Sequence, residues 1–188
     1  MKSKIITIAG SLGSGKSSTA KGVAAELGYR HFSSGDLFRA VAAERGLTVM
    51  QINQQAELEH EIDHAVDKRL QDMANEEEFV IDSRMAYHWM PDSFKVYLSL
   101  DPHIAAERIH TQIKGSGRIS EDAQNVEEVY QTILDRRASE QKRYRNLYDV
   151  DVLDLKPFDL VADTATTPLE GVIKEVLAAY REWLGSER

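Results

Sequence analysis

The fold is decided by Lys4-Ile5-Ile6-Thr7-Ile8-Ala9, which runs directly into Gly10-Ser11-Leu12-Gly13-Ser14-Gly15-Lys16-Ser17. The first stretch is apolar and rich in β-branched residues, which predicts a buried strand. The second matches the pattern G-x-x-x-x-G-K-[ST]. From Lys16 to Leu27 apolar residues recur at helical spacing, and Gly28 is a typical helix stop. A strand, a glycine-rich loop and a helix in this order form the context that a phosphate-binding loop requires.

The residue types in this loop fit phosphate chemistry. Glycine lets the backbone bring its N–H groups close to phosphate oxygens, and the helix N-terminus adds partial positive charge. The pattern predicts that Lys16 reaches the β- and γ-phosphates of ATP and that the Ser17 hydroxyl ligates Mg²⁺. The predicted ATP-binding residues are Gly10, Ser11, Leu12, Gly13, Ser14, Gly15, Lys16, Ser17 and Ser18.

Composition narrows the class of protein. A length of 188 residues with 42% apolar residues suits one domain with a sizeable core, and no apolar run predicts a membrane span. The formal net charge of −8 argues against binding to nucleic acid or to an anionic membrane. The absence of cysteine excludes disulfides and thiolate zinc sites, so we expect a cytoplasmic protein, and we expect a monomer.

The rest of the chain alternates between strand and helix patterns. Short strands are predicted at 29–32, 79–82, 94–100 and 160–163, with mostly helical segments between them. Thr48 and Gln51 form a capping-box pattern, and Ser120 is predicted to cap a long polar helix that ends near Tyr148. This alternation predicts an α/β fold with a doubly wound, parallel, five-stranded sheet.

A carboxylate and several arginines are the other candidate site residues. Asp82 ends an apolar strand, where phosphate-binding-loop enzymes carry a second acid that organises Mg²⁺. Arg136, Glu140 and Arg143 share one predicted helix face, and guanidinium groups suit phosphate recognition. A solvated, salt-bridged helix face is the alternative interpretation of that run.

A second pattern points to different chemistry. His60-Glu61-Ile62-Asp63-His64 fits H-E-x-x-H, which places two histidines on one helix face as zinc proteases do. No later residue stands out as a third ligand, so we interpret the segment as ordinary helix surface.

Together these stretches resemble the nucleoside monophosphate kinases, and among them the short, archaeal-type cytidylate kinases. Besides the loop, the resemblance is carried by Ser33–Arg39 (SSGDLFR), Val80–Arg84 (VIDSR), Asp135–Tyr144 (DRRASEQKRY), Tyr148–Asp151 (YDVD) and Asp159–Thr164 (DLVADT). Two positions depart from the family pattern: Ser83 replaces a common glycine, and Thr111-Gln112 replaces a basic pair.

The resemblance implies a phosphoryl transfer from ATP to CMP or dCMP, with Mg²⁺, inside one kinase domain. It implies that Ser34 and Arg39 contact the monophosphate, that Arg84 reaches its phosphate and can also reach its base, and that Arg136 and Glu140 face its ribose. Arg143 would contact the transferring phosphates. Residues 33–75 would form a helical insert that binds the monophosphate, and residues 113–125 a lid over ATP.

Several alternatives remain open from the sequence. The lid charge could come from Lys114 or Arg118, and Arg118 is predicted to be catalytic together with Lys16, Arg136 and Arg143. The same fold serves kinases of AMP, shikimate or a sugar acid, because fold does not fix substrate. A nucleotide-dependent switch with a slow ATPase is the alternative from another functional class.

Overall fold

The computed structural model describes residues 2–48, 51–52, 61–116 and 125–186. Strands and helices alternate along the chain, as the sequence predicts. The strands are β1 (Ile5–Gly10), β2 (Arg30–Ser33), β3 (Phe79–Asp82), β4 (Phe94–Ser99) and β5 (Leu160–Asp163). The helices are α1 (Lys16–Leu27), α2 (Ser34–Glu44), α3 (Glu61–Met73), α4 (Ala86–Trp89), α5 (Pro102–Ser116), α6 (Val126–Tyr148) and α7 (Leu169–Gly185).

The five strands form one sheet in the order β2-β3-β1-β4-β5, and every neighbouring pair is parallel. In the centre, Ile8 of β1 lies opposite Asp82 of β3 on one side and Val96 of β4 on the other. All residues of β1 are buried, because it has neighbours on both edges and helices over both faces. The predicted doubly wound α/β fold is confirmed.

Helices cover the two faces of the sheet with separate apolar clusters. On one face α1 and α7 pack against β1, with Val23, Val176 and Tyr180 in the cluster. On the other face α3 and α4 pack against β1 and β3, with Leu70 and Met73 fully buried. The connections from β1 to β2 and from β3 to β4 leave in opposite directions across the sheet. A crevice therefore forms between the loop that follows β1 and the loop that follows β3, and open α/β sheets bind ligands in such crevices.

Two helix boundaries test local sequence signals. The capping box is confirmed, since Thr48 N–H donates to Gln51 at 2.8 Å and Gln51 N–H donates to the Thr48 hydroxyl at 3.2 Å. The predicted cap at Ser120 is wrong. Helix α6 begins at Val126, where the side chain of Asn125 accepts a hydrogen bond from the backbone of Glu128 at 3.0 Å. Asn125 has an extended backbone and a short side-chain acceptor, which is the geometry that a helix cap needs. Residue 120 itself lies outside the described residues.

The short helix α4 was not anticipated from the sequence, because a single turn leaves too little periodicity to detect. Within the described ranges, no helix combines the length and the apolar character needed to cross a membrane.

Candidate active site

The loop between β1 and α1 has a backbone that only glycine accommodates. Gly10 has φ of 148°, and a Cβ there would lie 2.3 Å from the carbonyl oxygen of Leu98 in the neighbouring strand. Gly15 has φ of 82° and stands at the N-cap of α1, where no side chain of the described residues makes a capping hydrogen bond. The first N–H groups of α1 are therefore left for a ligand, as anion binding at a helix start requires.

Lys16 folds back over this loop. Its Nζ donates a hydrogen bond to the carbonyl oxygen of Ser11 at 2.7 Å. Burial, together with the nearby Arg84 guanidinium, lowers the pKa of Lys16 to about 7, although Asp82 and Glu140 act in the opposite direction. An anionic ligand in the loop would reverse this effect by stabilising the charged ammonium.

Ser17 and Asp82 meet at the ends of α1 and β3. The Ser17 hydroxyl donates to Asp82 Oδ2, and the Ser33 hydroxyl donates to the same oxygen at 3.3 Å. Hydroxyl and carboxylate oxygens suit Mg²⁺, which is usually held by one or two carboxylates together with phosphates of the substrate. The described residues contain no group of three or more His, Cys, Asp or Glu side chains placed to hold a metal. One hydroxyl and one carboxylate match the donors that Mg²⁺ uses when nucleotide phosphates complete its coordination.

One cleft of about 330 Å³ collects most of the predicted site residues. Those that line it are Leu12, Gly13, Gly15, Lys16, Ser17, Ser18, Ser34, Arg39, Asp82, Arg84, Arg136, Glu140 and Arg143. Gly10 and Ser11 border a smaller cavity of about 60 Å³, and Ser14 is buried within the loop, where its hydroxyl donates to the carbonyl of Ser11. Arg118 and most of the predicted lid lie outside the described residues.

Glu140 is a buried carboxylate between two arginines. Arg84 donates to its Oε2, and Arg136 Nε lies 3.1 Å from its Oε1. Burial alone would raise the pKa of Glu140, but attraction to Arg84, Arg136 and Arg143 outweighs it and holds that pKa below its ordinary value. Glu140 is therefore ionised at neutral pH, and it fixes both guanidinium groups at the cleft. The predicted shared face of α6 is confirmed, whereas Arg145 lies exposed on the same helix.

Arg143 is held by a residue from the helical segment before β3. Its Nε lies 2.9 Å from Asp63 Oδ2, and the two side chains are only 2% and 6% exposed. The interpretation of the H-E-x-x-H segment as helix surface is thus wrong for Asp63, because its side chain turns inward to meet α6. It is right for His64, which is exposed, and His60 lies outside the described residues.

A second inward carboxylate on α3 was not predicted. Asp67 Oδ1 accepts a hydrogen bond from Trp89 Nε1 at 3.0 Å, and its Oδ2 accepts one from the Tyr148 hydroxyl. Asp67 is 7% exposed and lines the same cleft. Burial raises its pKa, while the two hydrogen bonds act to lower it. The four-residue spacing of Asp63 and Asp67 was the available signal, since it puts both on one helix face.

Comparison with known proteins shows the family of this chain. The AAA domain model matches residues 9–154. A cytidylate kinase from Haloarcula marismortui is 36% identical over 183 residues, covering 95% of this chain and 90% of that protein. The chain belongs to the cytidylate kinase family. A second cytidylate kinase, from Pyrococcus abyssi, is 35% identical over 93% of this chain and 92% of its own length.

The likeness to cytidylate kinases extends over nearly the whole chain, so it includes the glycine loop and the arginine-bearing helix α6. It confirms the resemblance inferred from the motifs. The fold alone is shared more widely: a shikimate kinase from Bacteroides thetaiotaomicron superposes with a TM-score of 0.62 at 14% identity, over 97% of this chain and 98% of that one.

Proposed function

We propose that this protein transfers the γ-phosphoryl group of ATP to CMP or dCMP, forming ADP and the corresponding diphosphate. The observation that carries this proposal is the sharing of one cleft by Lys16 and Ser17 with Arg39, Arg84, Arg136 and Arg143. ATP alone does not need four guanidinium groups in addition to the loop and its lysine. A second phosphorylated ligand accounts for them, and the family to which the chain belongs supports CMP.

On the donor side, the loop N–H groups and Lys16 bind the phosphates of ATP. Ser17 and Asp82 would hold Mg²⁺, which would supply positive charge against the phosphates of the nucleotide. Ser17 already donates to Asp82, so both oxygens are positioned before any ligand arrives.

On the acceptor side, Ser34 and Arg39 bind the phosphate of the monophosphate at the start of α2. Arg39 is now paired with Asp36 at 2.5 Å on an exposed surface, and a phosphate dianion would compete with that carboxylate. Arg84 supports the same phosphate, while Arg136 and Glu140 face the ribose. Arg143 stabilises the transferring group.

The reaction needs little covalent chemistry from the protein. An oxygen of the CMP phosphate attacks the γ-phosphorus, and the bond from that phosphorus to the β–γ bridging oxygen breaks, so ADP leaves with the bridging oxygen. Rate acceleration then comes from alignment of the two nucleotides and from the fixed positive charges around the equatorial oxygens. Residues 33–75 serve as the acceptor-binding insert and residues 113–125 as the lid. The protein is proposed to act as a monomer.

A coupled assay of ADP release across CMP, dCMP, UMP, AMP and shikimate tests this function. We expect fast turnover only with an acceptor, and the fastest with CMP or dCMP. Preferred use of AMP or shikimate would refute the cytidylate assignment. ADP release at the same rate with and without every small acceptor would favour a nucleotide-dependent switch.

The Arg39→Ala variant tests the acceptor site separately. CMP binding should weaken by about 1.5–3 kcal/mol, the scale of a charge-assisted hydrogen bond, while ATP binding stays unchanged. The matched control is Arg181→Ala, which removes an exposed arginine of α7 that does not line the cleft. Calorimetric titration of each nucleotide measures both. Equal CMP affinity in the two variants would contradict the role given to Arg39.

A further inference from the structure

Beyond the phosphate-binding residues, the cleft has a part whose chemistry suits a flat base. Phe38, Val66 and Met85 give it apolar walls. Val66 packs against the cluster beneath α3 and α4, and Met85 directly precedes α4. A nucleobase needs apolar surface against its faces and a few fixed polar groups at its edge. This part of the cleft offers the walls, and the carboxylate of Asp67 is a fixed polar group beside them.

Asp67 is held rigidly from behind. Its two oxygens accept hydrogen bonds from Trp89 of α4 and from Tyr148 at the end of α6, so three helices determine where the carboxylate points. Each carboxylate oxygen can accept two hydrogen bonds. Asp67 therefore keeps acceptor capacity toward the cleft that it lines.

We propose that Asp67 is a specificity-determining residue that selects the acceptor base by accepting a hydrogen bond from the exocyclic amino group of cytosine. This rests on the proposed function, because it assigns one part of the acceptor site. Cytosine presents an amino donor where uracil presents a carbonyl acceptor. A carboxylate oxygen can accept a hydrogen bond from the amino group, whereas opposite the uracil carbonyl two acceptors would face each other without a donor.

Asp63 provides an internal control, because it is the same residue type one turn earlier on the same helix face. Its Oδ2 forms an ion pair with Arg143 Nε at 2.9 Å. Loss of that carboxylate should affect the transfer of phosphate to every monophosphate, without regard to the base. Tyr148→Phe is a second control, since it removes one donor to Asp67 and keeps the carboxylate.

The experiment measures kcat/KM for CMP and for UMP in the wild type and in Asp67→Asn, Asp63→Asn and Tyr148→Phe. The expected result is a CMP-to-UMP ratio that falls about tenfold to a hundredfold in Asp67→Asn, the scale of one charge-assisted hydrogen bond to a substrate group. The ratio should stay within about threefold of wild type in the two control variants, whatever happens to their kcat. A purely structural role of Asp67 would change both substrates alike and leave the ratio unmoved.

Thermal unfolding and ATP titration establish that each variant is folded, and Asp67→Ser replaces Asp67→Asn should the latter not fold. An unchanged ratio in the Asp67 variant, or an equal change in Asp63→Asn, overturns the assignment while leaving the kinase function intact. A wild type that phosphorylates neither CMP nor UMP overturns the proposed function itself.

Discussion

The protonation of Lys16 makes ATP binding dependent on pH in a way that can be calculated. Burial lowers the pKa of this lysine to about 7. At pH 8 only about one-tenth of the molecules would then carry the ammonium charge in the free protein. ATP phosphates in the loop favour the charged form, so binding at pH 8 should take up about 0.9 proton per site. The association constant should fall about tenfold for each pH unit above 7, which is about 1.4 kcal/mol per unit.

Isothermal titration calorimetry with saturating Mg²⁺ tests this prediction in buffers that differ in ionisation enthalpy. The slope of the observed enthalpy against that ionisation enthalpy gives the number of protons taken up. Lys16→Met and Lys16→Arg should both give a slope near zero, because the first cannot be charged and the second is always charged. A slope near zero in the wild type at pH 8 would refute the reasoning, since it would mean that the lysine is already charged before ATP binds.

Three further predictions concern the cleft and its supports. Gly10→Ala should lower the free energy of unfolding by about 2–5 kcal/mol, because the added Cβ would meet the Leu98 carbonyl in a backbone conformation that alanine avoids. Urea denaturation measures this loss, and a change below about 0.5 kcal/mol would contradict the prediction. Asp82→Asn should raise the Mg²⁺ concentration needed for half-maximal activity, and superimposable Mg²⁺ titrations of variant and wild type would return Asp82 to a structural role. Asp63→Ala should lower the free energy of unfolding by about 3–5 kcal/mol, because the buried Arg143 guanidinium loses its carboxylate partner. The double variant Asp63→Ala/Arg143→Met should lose less stability, and equal losses in the two denaturation experiments would count against a strong ion pair.

The fold followed from signals that act over a few residues. The strand, loop and helix of the first 28 residues, the capping box at Thr48 and Gln51, and the buried strand that ends at Asp82 each depend on local periodicity or on a side chain that bonds its own backbone. Most of the candidate site followed as well, because strand ends of a parallel sheet converge at one edge. The predicted start of α6 was wrong by several residues. Ser120 and Asn125 are both residue types that cap helices, and the residue type alone does not choose between them.

By itself, the sequence determined that a phosphate-binding loop begins a parallel sheet and that arginines on one face of a long helix point to a phosphorylated ligand. Only the tertiary structure decided which distant carboxylates Arg84 and Arg143 meet. Asp63 and Arg143 are 80 positions apart in the sequence, and Asp67 and Tyr148 are 81 positions apart. Such pairs depend on where α3 lies relative to α6, since their side chains meet across the cleft. Burial of the paired charges then changes their energies by more than any local preference does, and this leaves no trace in the spacing of the residues along the chain.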